Sequence, residues 1–176
     1  DLLSGARHEN ENRMGAGGKR VKIAVHTPLT MFQNDIGDVV RLFYGEGAAV
    51  DAEETADARL VHMHEETEGQ WRETFVLTDA NGREAQNTLS APTVFGSLEE
   101  KRQLKRLIKR CCYMLLKHVS GRQPAWGSLT GIRPTRLYYQ QLENGKTREE
   151  ARKTLAELFD LSRKKIDLLD EILDAQ

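Results

Sequence analysis

The spacing of apolar residues changes near residue 96, and this change constrains the fold more than any other feature of the chain. Before it, outside one helical stretch at residues 32–43, apolar residues share one parity, as in Trp71, Phe75 and Leu77. After it, they recur every three or four positions, as in Leu104 and Ile108. The first spacing is typical of strands and the second of helices. The pattern predicts an α+β fold: a small, mostly antiparallel sheet with one helix, followed by a region of about four helices.

The first part predicts the element order β-α-β-β-β. Its first strand runs from Lys19 to His26, and the helix that follows ends at Gly45. The acidic, alanine-rich stretch at residues 47–57 is predicted to be a loop. Asn81-Gly82 predicts a tight hairpin turn, because such turns need positive φ angles. The three remaining strands are predicted at residues 59–66, 70–78 and 83–90.

The apolar spacing of the second part predicts four helices. The first extends from Ser97 to about Val119, and Pro134 occupies a good first-turn position for the second. The third opens at Thr147, and the fourth follows a break at Ser162. Three pairs match the capping-box signature of helix N-termini: Thr30 with Gln33, Ser97 with Glu100, and Thr147 with Glu150.

Charge divides the chain in a way that the net charge of −1 conceals. Residues 1–96 carry 9 Lys and Arg against 16 Asp and Glu, whereas residues 97–176 carry 17 against 11. We therefore expect an acidic α+β subdomain at residues 19–96 and a basic helical subdomain at residues 97–176. Residues 1–18 lack an apolar period and are expected to be a disordered or expression-derived tail.

The cysteine count limits the metal chemistry of this chain. Its only two cysteines, Cys111 and Cys112, are adjacent, which excludes a disulfide framework and any all-cysteine metal site. Cys111 falls on the apolar stripe of its helix and is predicted to be a buried thiol. The sequence contains no apolar run long enough for a membrane span and no signal segment, so we expect a soluble, cytoplasmic protein that does not contact a membrane.

The stretch from Trp126 to Thr135 is the strongest candidate for a binding loop. It contains two glycines and a proline that begins a helix, whose N-terminal amides attract anions. One interpretation is a carboxylate or phosphate contact, and the other is a conformationally demanding connection whose arginine pairs with a neighbouring surface. The candidate anion-contact residues are Thr130, Arg133, Thr135 and Arg136.

The helix before this loop carries two rows of basic residues at i, i+4 spacing. The stretch of residues 99–136 contains 10 Lys and Arg against 2 Asp and Glu. Three interpretations stay open: a solvated or partner-docked face, a nucleic-acid surface, and a contact for an anionic substrate. Exposed aromatics for base stacking are missing. The rows are Lys101, Lys105 and Lys109, and Arg102, Arg106 and Arg110.

His62 and His64 lie two apart on a predicted strand and therefore face the same side. Together they could bind a metal, but no third ligand has suitable spacing nearby. A half-exposed pair of strand residues is the favoured interpretation, and we predict no metal site.

The segment from Gly127 to Thr135, Gly-Ser-Leu-Thr-Gly-Ile-Arg-Pro-Thr, resembles the Gly-x-Leu-Thr-Gly-x-Arg-Pro segment of HemZ-type oxygen-independent coproporphyrinogen III oxidases, a radical-SAM family. The resemblance extends from Lys19 to Gln176. It includes the helix that ends in Arg41-Leu42-Phe43-Tyr44, the long basic helix and the closing pair of helices.

This resemblance implies a parent enzyme that decarboxylates two propionates oxidatively to vinyls in porphyrin and haem biosynthesis, using a [4Fe–4S] cluster and S-adenosylmethionine. Such enzymes need Cys-x-x-x-Cys-x-x-Cys, which this chain lacks. The resemblance therefore implies a non-catalytic N-terminal accessory region without a cofactor of its own. Its implied partners are its own C-terminal catalytic domain and an anionic tetrapyrrole substrate. The competing hypothesis is a stand-alone nucleic-acid-binding or protein-interaction module that uses the helix from Lys101 to Lys117.

Overall fold

The chain divides into two compact units, of which the first ends at Arg122 and the second comprises Gln123–Gln176. The structure is a computed structural model and describes residues 20–176. The predicted tail at residues 1–18 lies outside this range. The long basic helix falls in the first unit, although the charge pattern grouped it with the helices that follow.

The first unit contains a five-stranded sheet and two helices. A short 3-10 turn, Thr30–Phe32, leads into the first helix. The elements are β1 (Ile23–His26), α1 (Gln33–Tyr44), β2 (Ala49–Asp51), β3 (Ala58–Thr67), β4 (Gln70–Asp79), β5 (Glu84–Pro92) and α2 (Ser97–Ser120).

The sheet confirms the α+β class and its mostly antiparallel pairing, but it is not purely antiparallel, because one part of it is parallel. Its strand order is β2-β1-β3-β4-β5, in which β1 pairs in parallel with both β2 and β3. Strands β3, β4 and β5 are antiparallel. The parallel edge comes from β2, which lies in the stretch expected to be a loop. Three residues are too few for an alternating pattern to be visible in the sequence.

The tight turn that sets the register of the sheet lies between β3 and β4. Its two residues, Glu68 and Gly69, have φ angles of 52° and 72°, as a two-residue hairpin loop requires. The expected tight turn at Asn81-Gly82 is instead a wider one. There, Asp79 Oδ1 accepts the backbone N–H groups of Asn81 and Arg83 at 2.9 and 3.0 Å.

Both helices of the first unit contribute to one apolar core with the sheet. Trp71, Phe75 and Leu77 are buried, which confirms the predicted parity of β4. The Phe43 and Tyr113 rings connect α1 with α2 at a centroid distance of 5.2 Å. The other core side chains include Ile23, Val25, Phe32, Ile36, Val39, Val40, Leu60, Ile108, Leu115 and Leu116.

The second unit contains three helices around a smaller core. Pro134 begins α3 as predicted, and Thr147 and Glu150 form the predicted capping box of α4. The other two predicted boxes do not form, because Thr30 starts the 3-10 turn and Gly96 occupies the N-cap of α2. The helices are α3 (Pro134–Glu143), α4 (Arg148–Phe159) and α5 (Arg163–Asp174), and their core includes Leu129, Leu137, Tyr138, Ala151, Leu155, Leu161, Ile166 and Leu169.

A polar cluster connects the three helices of the second unit. Arg152 on α4 pairs with Asp167 at 2.5 Å and also with Asp170, both on α5. The Tyr138 hydroxyl on α3 donates to the same Asp170 carboxylate. Burial, followed by this hydrogen bond, raises the pKa of Tyr138 to about 12. The tyrosine therefore stays neutral and keeps its donor in place at physiological pH.

The two cysteines are free and buried in the first unit, as predicted for Cys111. Burial is the main cause that raises the pKa of Cys111 to about 11, and it raises the pKa of Cys112 as well. The Cys111 Sγ–H contacts the carbonyl oxygens of Glu73 and Asn87, each at 3.4 Å. Both thiols therefore act as core groups and not as reactive thiolates.

These thiols predict a loss of stability at high pH. Folding keeps Cys111 protonated, so its contribution is complete below the unfolded pKa of about 9.0 and is lost as the pH rises towards about 11. We expect the free energy of unfolding, measured in urea, to fall across this interval. Cys111→Ala should reduce the fall. An equal fall in this variant would contradict the assignment.

Candidate functional site

The loop before α3 is held against the end of α4 by backbone contacts. The Ser128 N–H donates to the Phe159 carbonyl oxygen at 2.8 Å, and the Ser128 hydroxyl donates to the same oxygen at 3.3 Å. Gly127 has a φ of +59°, and a Cβ atom there would lie 1.9 Å from that oxygen. Gly127 is therefore required by both its conformation and its close approach, and this part of the loop is a structural connection.

The predicted anion-contact residues lie at the exposed side of this loop, around the start of α3. Arg133 is the N-cap residue, and it and Arg136 are exposed, whereas Thr130 and Thr135 are half-buried. Among residues 20–176, no side chain caps this terminus, and its first turn contains no acidic residue. Two guanidinium groups thus lie near uncapped backbone amides, an arrangement that suits an anion. The contact itself stays a prediction.

The two basic rows of α2 differ in their surroundings. Arg102, Arg106 and Arg110 are all exposed, whereas Lys105 and Lys109 are half-buried. Of the lysine row, only Lys101 is fully exposed. The arginine row therefore forms the accessible part of the predicted basic surface.

Lys109 has acidic neighbours on α1. Its pKa is lowered mainly by burial, and the nearby Lys105 lowers it further. Asp35 and Asp38 on α1 act in the opposite direction and raise it. The charge of Lys109 is therefore used within the fold, where it attracts Asp35 and Asp38 of α1 towards α2. The fully exposed part of the predicted basic surface consists of the three arginines and Lys101.

Two exposed apolar side chains lie at the start of the helix that carries this arginine row. Phe95, which precedes α2, is 82% exposed, and Leu98 in its first turn is 63% exposed. Leu98 and Arg102 are one helical turn apart and share a face. The accessible surface is thus amphipathic, with an exposed aromatic ring that the sequence pattern did not single out.

A buried polar network occupies the sheet between β3 and β4. His62 Nε2 lies 2.6 Å from Glu73 Oε2, and His64 Nδ1 lies 2.5 Å from Glu73 Oε1. The side chains of His62 and Glu73 are fully buried, and that of His64 is 18% exposed. The favoured interpretation of the histidines as a half-exposed pair is therefore wrong for His62, whose ring is fully buried against Glu73, whereas His64 is partly exposed.

The position of Glu73 in the sequence indicates that this network exists. Glu73 lies between Trp71 and Phe75 in the parity that builds the core, so its carboxylate had to be buried and needed partners. The register places His64 opposite Glu73. The spacing around the histidines does not indicate this partner, because Glu73 lies on the next strand.

The network continues to a cavity at the ends of the parallel strands. Thr27 Oγ1, just after β1, lies 2.8 Å from His62 Nδ1. Thr27 and His62 both line a cavity of about 360 Å³, together with Gln33 and Asp51. The other lining residues are Val25, His26, Pro28, Thr30 and Ala52.

The described residues do not fit an iron–sulfur cluster. Within residues 20–176, no three His, Cys, Asp or Glu side chains are placed to hold a metal ion. Cys111 and Cys112 are buried neighbours on one helix and point in different directions. In the same range, no helix has both the length and the apolar character to cross a bilayer.

Comparison with known proteins gives a match to a curated protein, whereas no protein-family model matches the chain. The chain is 28% identical over 152 residues to the oxygen-independent coproporphyrinogen-III oxidase-like protein HemZ of Bacillus subtilis. The resemblance predicted from the sequence is confirmed. The match covers 86% of this chain and 29% of HemZ, and it falls in the N-terminal region of HemZ.

Solved structures give only weak similarity. A PelC dodecamer from Paraburkholderia phytofirmans has a TM-score of 0.38 at 22% identity, covering 58% of this chain and 88% of that one. An uncharacterized lipoprotein B from Nitrosomonas europaea has a TM-score of 0.33 at 17% identity, covering 65% and 92%.

The packing of the loop predicts unequal effects at its two glycines. Gly127→Ala should lower the free energy of unfolding by roughly 2–5 kcal/mol, because it adds left-handed strain to a backbone clash. Gly131 has a φ of +69° with open space around it, so Gly131→Ala should cost only about 1 kcal/mol. Urea unfolding followed by circular dichroism measures both. Equal losses would contradict the close approach of Gly127 to α4.

Proposed function

We propose that this chain is the N-terminal accessory region of a HemZ-like, radical-SAM, oxygen-independent coproporphyrinogen III oxidase. The observation that carries the proposal is the 152-residue match to the N-terminal region of HemZ. The parent enzyme would act in the cytoplasm in porphyrin biosynthesis, and this region would carry no catalytic residue of the porphyrin reaction. The [4Fe–4S] cluster and S-adenosylmethionine would be held by other parts of the parent protein, because the residues described here do not suit them.

The accessory role would be carried by the exposed arginine row of α2. Arg102, Arg106 and Arg110 are accessible, and Phe95 and Leu98 add apolar area beside them. Exposed aromatic and arginine side chains are typical of protein interfaces. We therefore assign this surface to docking on an acidic face of the catalytic domain of the parent protein.

The loop before α3 would contribute an anion contact. Arg133 and Arg136 flank a helix N-terminus without acidic residues in its first turn. Coproporphyrinogen carries four propionates, so arginines at this terminus would attract the substrate electrostatically. Loss of this anion contact would change how the rate depends on substrate concentration, and it would leave the docking of the two domains unchanged.

The first test is the coding sequence of the parent protein. The proposal requires a Cys-x-x-x-Cys-x-x-Cys motif downstream of the segment described here, since the cluster needs three thiolates. The absence of this motif from the parent protein would contradict the proposal.

The second test uses charge reversal in the full-length parent protein. Replacing Arg102, Arg106 and Arg110 by Glu should reduce the rate of porphyrin formation by roughly tenfold, if each lost contact is worth a typical exposed ion pair. Replacing the same residues by Lys keeps the charge and is the matched control. Full activity of the triple Glu variant would leave α2 without a docking role.

A nucleic-acid-binding module remains the second candidate, favoured by the exposed arginine row together with Phe95. A gel-shift titration of this chain with single-stranded and duplex oligonucleotides separates the two functions. Nucleic-acid binding should weaken steeply with salt. The logarithm of the binding constant should fall with the logarithm of the salt concentration, with a slope of about −0.9 per phosphate contacted on duplex DNA. The accessory-region proposal expects no salt-dependent shift. A strong shift that Arg106→Glu abolishes would favour the second candidate.

A further inference from the structure

The cavity in the first unit lies where α/β sheets bind ligands. Thr27 follows β1 and Asp51 ends β2, so the cavity lies beyond the carboxyl ends of two parallel strands joined by α1. Ligands of open α/β sheets bind in this position, because the connecting loops diverge there and leave a crevice. Neither the family resemblance nor the proposed docking surface uses this cavity.

The hydroxyl of Thr27 is oriented by two hydrogen bonds. Its oxygen accepts the backbone N–H of Leu29 at 3.1 Å, so its hydrogen is left for His62 Nδ1 at 2.8 Å. Thr27 is half-buried and His62 is buried, and both line the cavity. A hydroxyl within hydrogen-bond reach of an imidazole nitrogen is the first requirement for an activated oxygen nucleophile.

The second requirement is a group that orients the imidazole. Glu73 lies 2.6 Å from the other ring nitrogen, Nε2, and a carboxylate only accepts, so Nε2 carries the hydrogen and Nδ1 keeps its lone pair for Thr27. Phe75 stacks on the His62 ring at 4.6 Å and 10°. His64 donates to the second oxygen of Glu73 at 2.5 Å. The imidazole is thus fixed in position, tautomer and orientation.

The same cavity contains a donor for a developing oxyanion. Pro28 follows Thr27 and has no N–H to offer, but the Gln33 carboxamide lines the cavity. Its Nε2 donates one hydrogen to the Val25 carbonyl oxygen at 3.0 Å and has a second hydrogen to donate. A side-chain amide is an established type of oxyanion donor. Asp51 adds an exposed carboxylate to the rim, which disfavours anionic substrates.

We propose that Thr27, His62 and Glu73 form an acyl-transfer site in this cavity, with Thr27 as nucleophile, His62 as general base and Glu73 as the residue that orients the base. The substrate class is a small uncharged or cationic ester. The proposal is independent of the porphyrin reaction, because it uses no residue of the α2 surface or of the loop before α3.

The chemical step balances without a cofactor. Thr27 Oγ1 forms a bond to the ester carbonyl carbon while its proton passes to His62 Nδ1, and the imidazolium is stabilised by Glu73. The carbon–oxygen bond to the alcohol then breaks, and the alcohol leaves with the proton from His62. Water attacks the acyl-threonine in the reverse sense, which releases the acid and restores Thr27. The only co-reactant is water.

The experiment incubates the 176-residue chain with p-nitrophenyl acetate. We expect p-nitrophenolate release and one added acetyl group, which peptide mass spectrometry places on Thr27. Thr27→Val, which keeps the side-chain shape, should abolish the label and lower the rate about a hundredfold, the scale of general-base catalysis. Thr27→Ser should restore both. Thr88→Val, on the exposed side of β5, is the matched control and should leave rate and label unchanged.

A second arm separates chemistry from folding. Because His62 is buried, His62→Gln could unfold the unit, so circular dichroism is recorded with each rate. A folded His62→Gln protein should also lose about a hundredfold in rate. A third arm measures the anionic ester p-acetoxybenzoate on the wild-type chain and on Asp51→Asn, and the variant should react faster because it lacks the rim charge.

Three outcomes would overturn the proposal. The first is the absence of acetylation in the folded wild-type chain. The second is labelling of lysines or of His64 at the same rate in Thr27→Val. The third is a folded His62→Gln protein with the wild-type rate. Any of these would leave the Thr27–His62–Glu73–His64 network with a purely structural role in the sheet.

Discussion

The pairing of β3 with β4 is the constraint on which the first unit depends. A two-residue turn at Glu68-Gly69 fixes this register and places His64 opposite Glu73. A slip by one residue would turn Glu73 to the other face of the sheet and leave His62 buried without its acceptor. The buried carboxylate therefore penalises every other register, in addition to the apolar side chains beside it. The pairing of β3 with β4 therefore sets both the register of these strands and the position of Glu73 against His62.

The sequence predicted the element types well where the apolar period was long. The ten residues of β4 and the 24 of α2 show their periods clearly, and the structure confirms them. It failed at β2, where three residues cannot display a period. The sequence also predicted the tight turn at Asn81-Gly82, because turn propensity depends only on local residues. The tight turn forms at Glu68-Gly69 instead, where it lets the long strands β3 and β4 pair.

The candidate sites were predictable to different degrees. Side-chain types predicted a basic surface, but only the packing of α1 on α2 separates the exposed arginines from Lys109 beside Asp35 and Asp38. The network around Glu73 needed a long-range register that no local pattern contains. Capping boxes show the same limit, because Ser97 carries the right signature but Gly96 occupies the N-cap of the helix. The local sequence identified which residue types are present, whereas helix packing and strand register determine which side chains they contact.

The division after Arg122 has a consequence for how this molecule is measured. Each unit has its own apolar core and one tryptophan, Trp71 in the first and Trp126 in the second. Unfolding of the whole chain need not be a single transition, so one melting temperature does not define its stability. Replacing either tryptophan by Phe leaves a fluorophore that reports on one unit alone. The chain thus contains two built-in optical probes of its own cooperativity.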